Sequence, residues 1–158
     1  MKFLLKNKEN LLIHFENSID WVKRLKELTE NQWRTPIAEG KWTIAEIIGH
    51  LTPWDQFLIE QRLPFLFQDK ALPKSPDENE INQQAATLSQ MKTKDEIIED
   101  FILNRRKLII AVNNIPGEMW EKEFNIGTSS LTLYTYLLGF KEHDEHHFEQ
   151  IEKVLSTS

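Results

Sequence analysis

The chain has 158 residues, with 19 Lys or Arg against 25 Asp or Glu, a net charge of −6 and no cysteine. That length is enough to bury one substantial core. The missing cysteine excludes disulfides, thiolate metal ligands and a cysteine nucleophile, and the acidic balance without a Lys/Arg cluster excludes a nucleic-acid footprint.

Met1-Lys2-Phe3-Leu4-Leu5-Lys6 starts like a secretory leader, but the apolar run is short and no small-residue cleavage site follows, which predicts a cytoplasmic protein. No apolar run is long enough to span a bilayer. Glycine is scarce, no stretch alternates convincingly as a strand does, and helix-period spacing dominates one domain over residues 1–158. The first helix is predicted from about Asn7 to Leu28, burying Leu12, Phe15, Ile19, Val22 and Leu25. His14 sits beside that stripe and reads as a surface residue.

A loop over residues 31–41, punctuated by Pro36 and Gly40, leads to the clearest start signal in the chain. Thr43 and Glu46 form a capping box, and Trp42 and Ile47 a hydrophobic staple. Ile44, Ile47, Ile48, Leu51 and Leu58 make the stripe of this second helix. His50 and Trp54 lie four apart on its edge. Pro53 cannot donate to the carbonyl of Gly49, which predicts a bend beside His50. From Phe65 to Gln90 the chain is polar and proline-bearing and reads mainly as connection, with Asp77-Glu78-Asn79-Glu80 a solvated acidic turn.

Thr93 and Glu96 cap a third helix whose inward residues are Ile97, Phe101, Leu108, Ile109 and Val112. Arg105 and Arg106 read as solvent-facing, one of them within reach of a pocket edge. The helix stops at Asn113-Asn114-Ile115-Pro116-Gly117. A second loop carries Trp120 and Phe124, and a fourth helix is predicted from Ser129 or Ser130 to about Leu155. Four amphipathic helices make a four-helix bundle the expected fold.

The chemistry concentrates in that last helix. His143 and His147 are four apart, so both rings share one face about 6 Å apart along the axis. This is the histidine spacing of helical H-E-x-x-H metal motifs, but Asp144 stands where the metalloprotease glutamate would be. The pair runs along a stripe of Leu133, Leu137, Phe140, Ile151, Val154 and Leu155, whereas His146 points to solvent. Imidazoles beside a core need polar partners.

His50 is the other histidine placed at a core edge, and facing helices in a bundle lie about 8–10 Å apart. His50, His143 and His147 therefore make a candidate three-nitrogen site, with Trp54 and Trp42 as apolar wall and Trp54 as a candidate substrate-binding residue. Three imidazoles suit zinc, nickel, iron or copper, and leave a coordination position open. Spacing alone does not separate such a site from three independent core-edge histidines. No general base stands out. Glu46 is accounted for by its capping box, and Glu142 and Asp144 read as solvent-facing.

Trp42-Thr43-Ile44-Ala45-Glu46-Ile47-Ile48-Gly49-His50-Leu51 resembles the second-helix segment of the DinB/YfiT-like superfamily, and His143-Asp144-Glu145-His146-His147-Phe148-Glu149-Gln150-Ile151 resembles its C-terminal helix. The resemblance implies an all-α four-helix bundle, up-down-down-up, with a long crossover between helices 2 and 3. It implies one divalent metal, nickel or zinc, on His50, His143 and His147, and a homodimer. It further implies a metal-dependent enzyme: a transferase using a low-molecular-weight thiol such as bacillithiol on a small electrophile, or a hydrolase. A protein that binds and sequesters a small molecule without chemistry is the alternative. The superfamily's name comes from a DNA-damage-induced gene and implies no DNA binding.

Overall fold

The computed structural model describes residues 2–68 and 72–157. Met1, Asp69, Lys70, Ala71 and Ser158 lie outside the described residues, so the leader-like start and part of the expected connection are only partly covered. Helix α1 spans Lys2–Arg24, starting earlier than its spacing predicts, and closes with a 3-10 turn over Leu25–Glu27. A single helical turn, α2 (Glu30–Trp33), is capped by Thr29 and seats Trp33 in the core. Helix α3 (Ile44–Phe57) opens on the Thr43–Glu46 capping box. It runs on through Pro53 and then widens to a π turn over Leu58–Arg62.

Where a connection was expected, the chain forms another helix, α4 (Glu78–Met91). Asp77 is its N-cap, accepting from the N–H of Glu80, and Glu78 and Glu80 fill the first turn. The acidic run is thus a helix start, where negative charge meets the positive end of the helix dipole. Hydrophobic periodicity misses α4 because its buried face is Ala85, Ala86 and Ser89, while Leu88 and Met91 point outward. Small residues are what this seam requires. A Cβ on Gly49 of α3 would fall 1.8 Å from Ser89 Oγ and 3.0 Å from its Cβ, so the helices touch where a larger residue would have to displace the Ser89 side chain.

Helix α5 (Lys94–Asn113) carries its predicted Thr93–Glu96 capping box. The following loop is more ordered than its sequence suggests. Trp120 ends a 3-10 turn, and strands β1 (Glu123–Ile126) and β2 (Ser129–Thr132) form an antiparallel hairpin. Gly127 turns it at φ +60, the conformation that a two-residue hairpin loop needs at its first position. Strands of four residues are too short to show alternation. Thr132 then caps α6 (Leu133–Ser156), so this helix begins a few residues later than expected.

The extensive helix pairings are α3 with α4 and α5, and α1 with α5 and α6. Two apolar clusters fill the interior. One joins Ile19, Val22, Ile48, Leu51, Phe101, Phe148 and Ile151, and the other joins Leu11, Phe15, Leu58, Leu108, Val112, Trp120 and Leu137. A polar layer divides them. Ser18, Asp55, Arg105 and Asp144 each interrupt an apolar stripe at the boundary between the two clusters, and each is 2 % exposed. The solvent-facing expectation for Arg105 and Asp144 is therefore wrong. Among the described residues, no helix is long and apolar enough to cross a membrane.

Candidate metal centre

The capping box fixes where α3 starts, and the helical repeat then buries His50 one face-turn beyond Ile47. His50 is 2 % exposed, and its Nδ1 donates to the carbonyl of Ile47. This ties off one ring nitrogen and turns the Nε2 lone pair inward. On α6, His147 Nδ1 donates to Gln150 Oε1 at 2.9 Å, which likewise frees its Nε2. That nitrogen faces His143 Nε2 at 3.2 Å. The His50 ring lies 5.4 Å from that of His143 and 4.8 Å from that of His147.

One ligating nitrogen from each of the three residues falls within 4.8 Å of the others. A tetrahedral ion with nitrogen at about 2.05 Å has ligand–ligand edges of about 3.3 Å, so the His143–His147 edge already fits and His50 needs a small approach. Two lone pairs aimed at each other repel unless a proton or a cation lies between them. The donor set, its spacing and the outer hydrogen bonds of His50 and His147 suit one borderline transition metal.

Electrostatics prepare the rings for that role. Burial holds the His50 imidazole down to about 3, reinforced by His147 and opposed by its bond to Ile47. Burial also lowers His143 and His147, the latter with help from His143. All three are neutral at pH 7, the form that ligates metal.

The site opens on one side. His143 is exposed, His147 half-buried and His50 buried. A cleft of about 370 Å³ begins at His143 and is lined by Trp54, Tyr136, Phe140 and Gly139, with Glu78 and Asn82 contributed by α4. The Trp54 indole N–H donates to Asn82 Oδ1 at 2.8 Å, so this wall is anchored across two helices. Burial pushes the Tyr136 hydroxyl up to about 12 against the pull of Arg62, so it stays a donor. Trp42 packs on the inner side, its ring 4.9 Å from that of His50.

Of the other residues singled out from the sequence, Glu46 spends its carboxylate on the backbone N–H of Thr43 and on Gln90, leaving none for the site. His146 and Glu142 are exposed. His14 is not a free surface residue, because its Nε2 lies 2.9 Å from the buried Asp144 carboxylate. Asn82 and Tyr136 went unnoticed in the sequence, and Glu78 read as part of a solvated acidic turn although it lines the cleft. Glu78 and Asn82 sit on a helix that has no apolar stripe to reveal it. Tyr136 lies one helical turn before Phe140 on the stripe, a spacing that could have found it.

Asp144 belongs to a buried cluster behind the histidines. Arg105 Nε and Nη2 donate to the two Asp55 oxygens at 2.8 and 3.1 Å, and Nη1 and Nη2 to the two Asp144 oxygens at 2.6 and 3.2 Å. Nη1 also donates to Ser18 Oγ at 3.0 Å, and the guanidinium lies between the rings of Phe15 and Phe101. Burial raises Asp55 despite Arg105. Asp144 is also penalised by burial but is held below the usual range by Arg105 and His14 together.

No curated protein sequence matches the chain. Among solved structures it is similar to YfiT from Bacillus subtilis, described as a probable metal-dependent hydrolase with an unusual four-helix bundle topology. That match has a TM-score of 0.76 and 16% identity, over 93% of this chain and 85% of that one. It is also similar to a mycothiol-dependent maleylpyruvate isomerase (TM-score 0.71, 13% identity, 91% of this chain and 60% of the isomerase) and to a histidine-to-alanine mutant of that enzyme (0.70, 12%, with the same coverage). At these identities the likeness concerns the fold, a mostly helical bundle. The sequence profile of the DinB superfamily matches residues 19–151, and the chain belongs to that superfamily.

Proposed function

We propose that His50, His143 and His147 hold one divalent transition metal, zinc or nickel, and that the protein is a metal-dependent enzyme acting on a small electrophilic molecule with a low-molecular-weight thiol of the bacillithiol type as co-substrate. The observation that carries this reading is the convergence of three imidazole nitrogens whose partner nitrogens, on His50 and His147, are already hydrogen-bonded away from the centre. Such an ion supplies a Lewis acid with a position left open for sulfur or oxygen. The chain has no cysteine of its own, so the thiol must come from solution. A similar fold in a mycothiol-dependent enzyme supports the thiol.

In this reading Trp54, Tyr136 and Phe140 seat the apolar part of the substrate and keep water from its reacting face, while Asn82 fixes the Trp54 ring. The Tyr136 hydroxyl donates to a developing negative charge. Hydrolysis is the second reading, favoured by Glu78, a carboxylate in the same cleft that could take a proton from an attacking water. The similar fold of YfiT, a protein described as a probable metal-dependent hydrolase, supports it.

Elemental analysis of untagged protein tests the centre. We expect about one ion per chain, lost in His50→Ala and His147→Ala. Turnover of electrophiles with and without added thiol then separates the two chemistries. Turnover that survives in the ion-free variants would sink both.

A further inference from the structure

The two helices that carry the histidines, α3 and α6, are not one of the extensive pairings of the fold; each packs instead against α4, α5 or α1. The apolar cluster that joins Ile48 and Leu51 of α3 to Phe148 and Ile151 of α6 relates them, and a polar cross-link lies beside it. Asp55 is on α3 with His50, and Asp144 directly follows His143 on α6. One guanidinium, from α5, grips both carboxylates through paired N–H donors. A planar fork holds each carboxylate in distance and in angle, which a point charge does not. Ser18 and His14 close the cluster from α1.

Resting on the metal reading above, we propose that Arg105 is a positioning residue of the centre: its two ion pairs set the spacing and rotation of α3 against α6, and so the angle at which His50 meets His143 and His147. Three nitrogens from two helices form a tetrahedral face only if those helices keep their relation to within a fraction of an ångström. The histidines themselves supply no such rigidity before an ion binds.

The test is titration of untagged protein with zinc, and with cobalt(II), whose visible bands report ligand geometry. It compares the unaltered chain with Arg105→Lys, Asp55→Asn and Val112→Ala. Val112 is fully buried in the cluster remote from the histidines, so its variant controls for lost stability alone. Thermal unfolding monitors folding, and Asp55→Asn decides if Arg105→Lys does not fold. We expect affinity to fall roughly 10- to 100-fold in the Arg105 and Asp55 variants, the range seen when groups behind a metal's ligands are altered, with displaced cobalt bands. The Val112 control should keep both. Unchanged affinity and bands in Asp55→Asn or Arg105→Lys, at a stability loss like that of the control, would overturn the proposal while leaving the centre intact. An unaltered chain that binds no ion would instead sink the metal reading itself.

Discussion

Two polar clusters share the interior between α3 and α6, and they are satisfied in opposite ways. Around Arg105 the donors and acceptors are matched: two carboxylates, a hydroxyl and two aromatic faces surround one guanidinium. Around His50 three rings converge, and His143 Nε2 and His147 Nε2 face each other at 3.2 Å. A saturated cluster has no capacity left for a ligand, and its effect is to hold the frame. A cluster whose ring nitrogens converge within 4.8 Å of one another, on a side that is partly open, offers them to a single point, and that point is where an ion fits.

The comparison breaks most visibly at Arg105. Removing it by Arg105→Ala leaves Asp55 and Asp144 buried without a counter-charge, so urea unfolding should show a loss of about 3–5 kcal/mol. A loss under about 1 kcal/mol would mean that water reaches the cluster and that it is not the saturated element described here.

Acid should act through the histidines. Their folded values lie below the ordinary value of 6.5, His50 at about 3. As pH falls, the unfolded chain therefore takes up protons first. The stability contributed by neutral histidines is complete above pH 6.5 and is lost as pH drops toward 3. Unfolding of the ion-free protein followed from pH 7.5 to 4 should show this decline. His50→Ala should flatten it, and an undiminished slope in that variant would assign the acid sensitivity to groups other than His50.

The smallest effect distinguishes neighbours on one helix. His147→Ala should change the stability of the ion-free protein by only about 1 kcal/mol, because its ring is half exposed, yet abolish the rise in melting temperature expected of the unaltered chain on adding zinc. His146→Ala should alter neither. If His146→Ala removes the zinc response, the ligand set on α6 is misassigned.

Much of this was legible in the sequence. The Thr43–Glu46 and Thr93–Glu96 boxes form as written, because capping is local chemistry within four residues. The histidine spacing placed His143 and His147 on one face for the same reason. Other features depended on partners far along the chain. Arg105 read as solvent-facing by type, although it lies between Phe101 and Leu108 on the inward stripe. Asp55 between Leu51 and Leu58, and Asp144 between Leu137 and Ile151, interrupt their stripes in the same way. Three charges at core positions on three helices is a pattern that predicts a buried ion cluster, and it was present in the spacing. Helix α4 left no such trace, since its seam against α3 is made of alanine, serine and glycine.

That seam has a consequence for how this protein can change. The histidines ride on α3 and α6, whereas Glu78 and Asn82, which shape the mouth of the cleft, ride on α4. Because the apolar contact of α4 is made by Ala85, Ala86 and Ser89, its outward positions can be exchanged so long as the small-residue contact at Gly49 and the Asn82–Trp54 bond are kept. On the proposed function, the mouth of the cleft can therefore be reshaped by substitutions confined to one short helix while His50, His143 and His147 stay as they are.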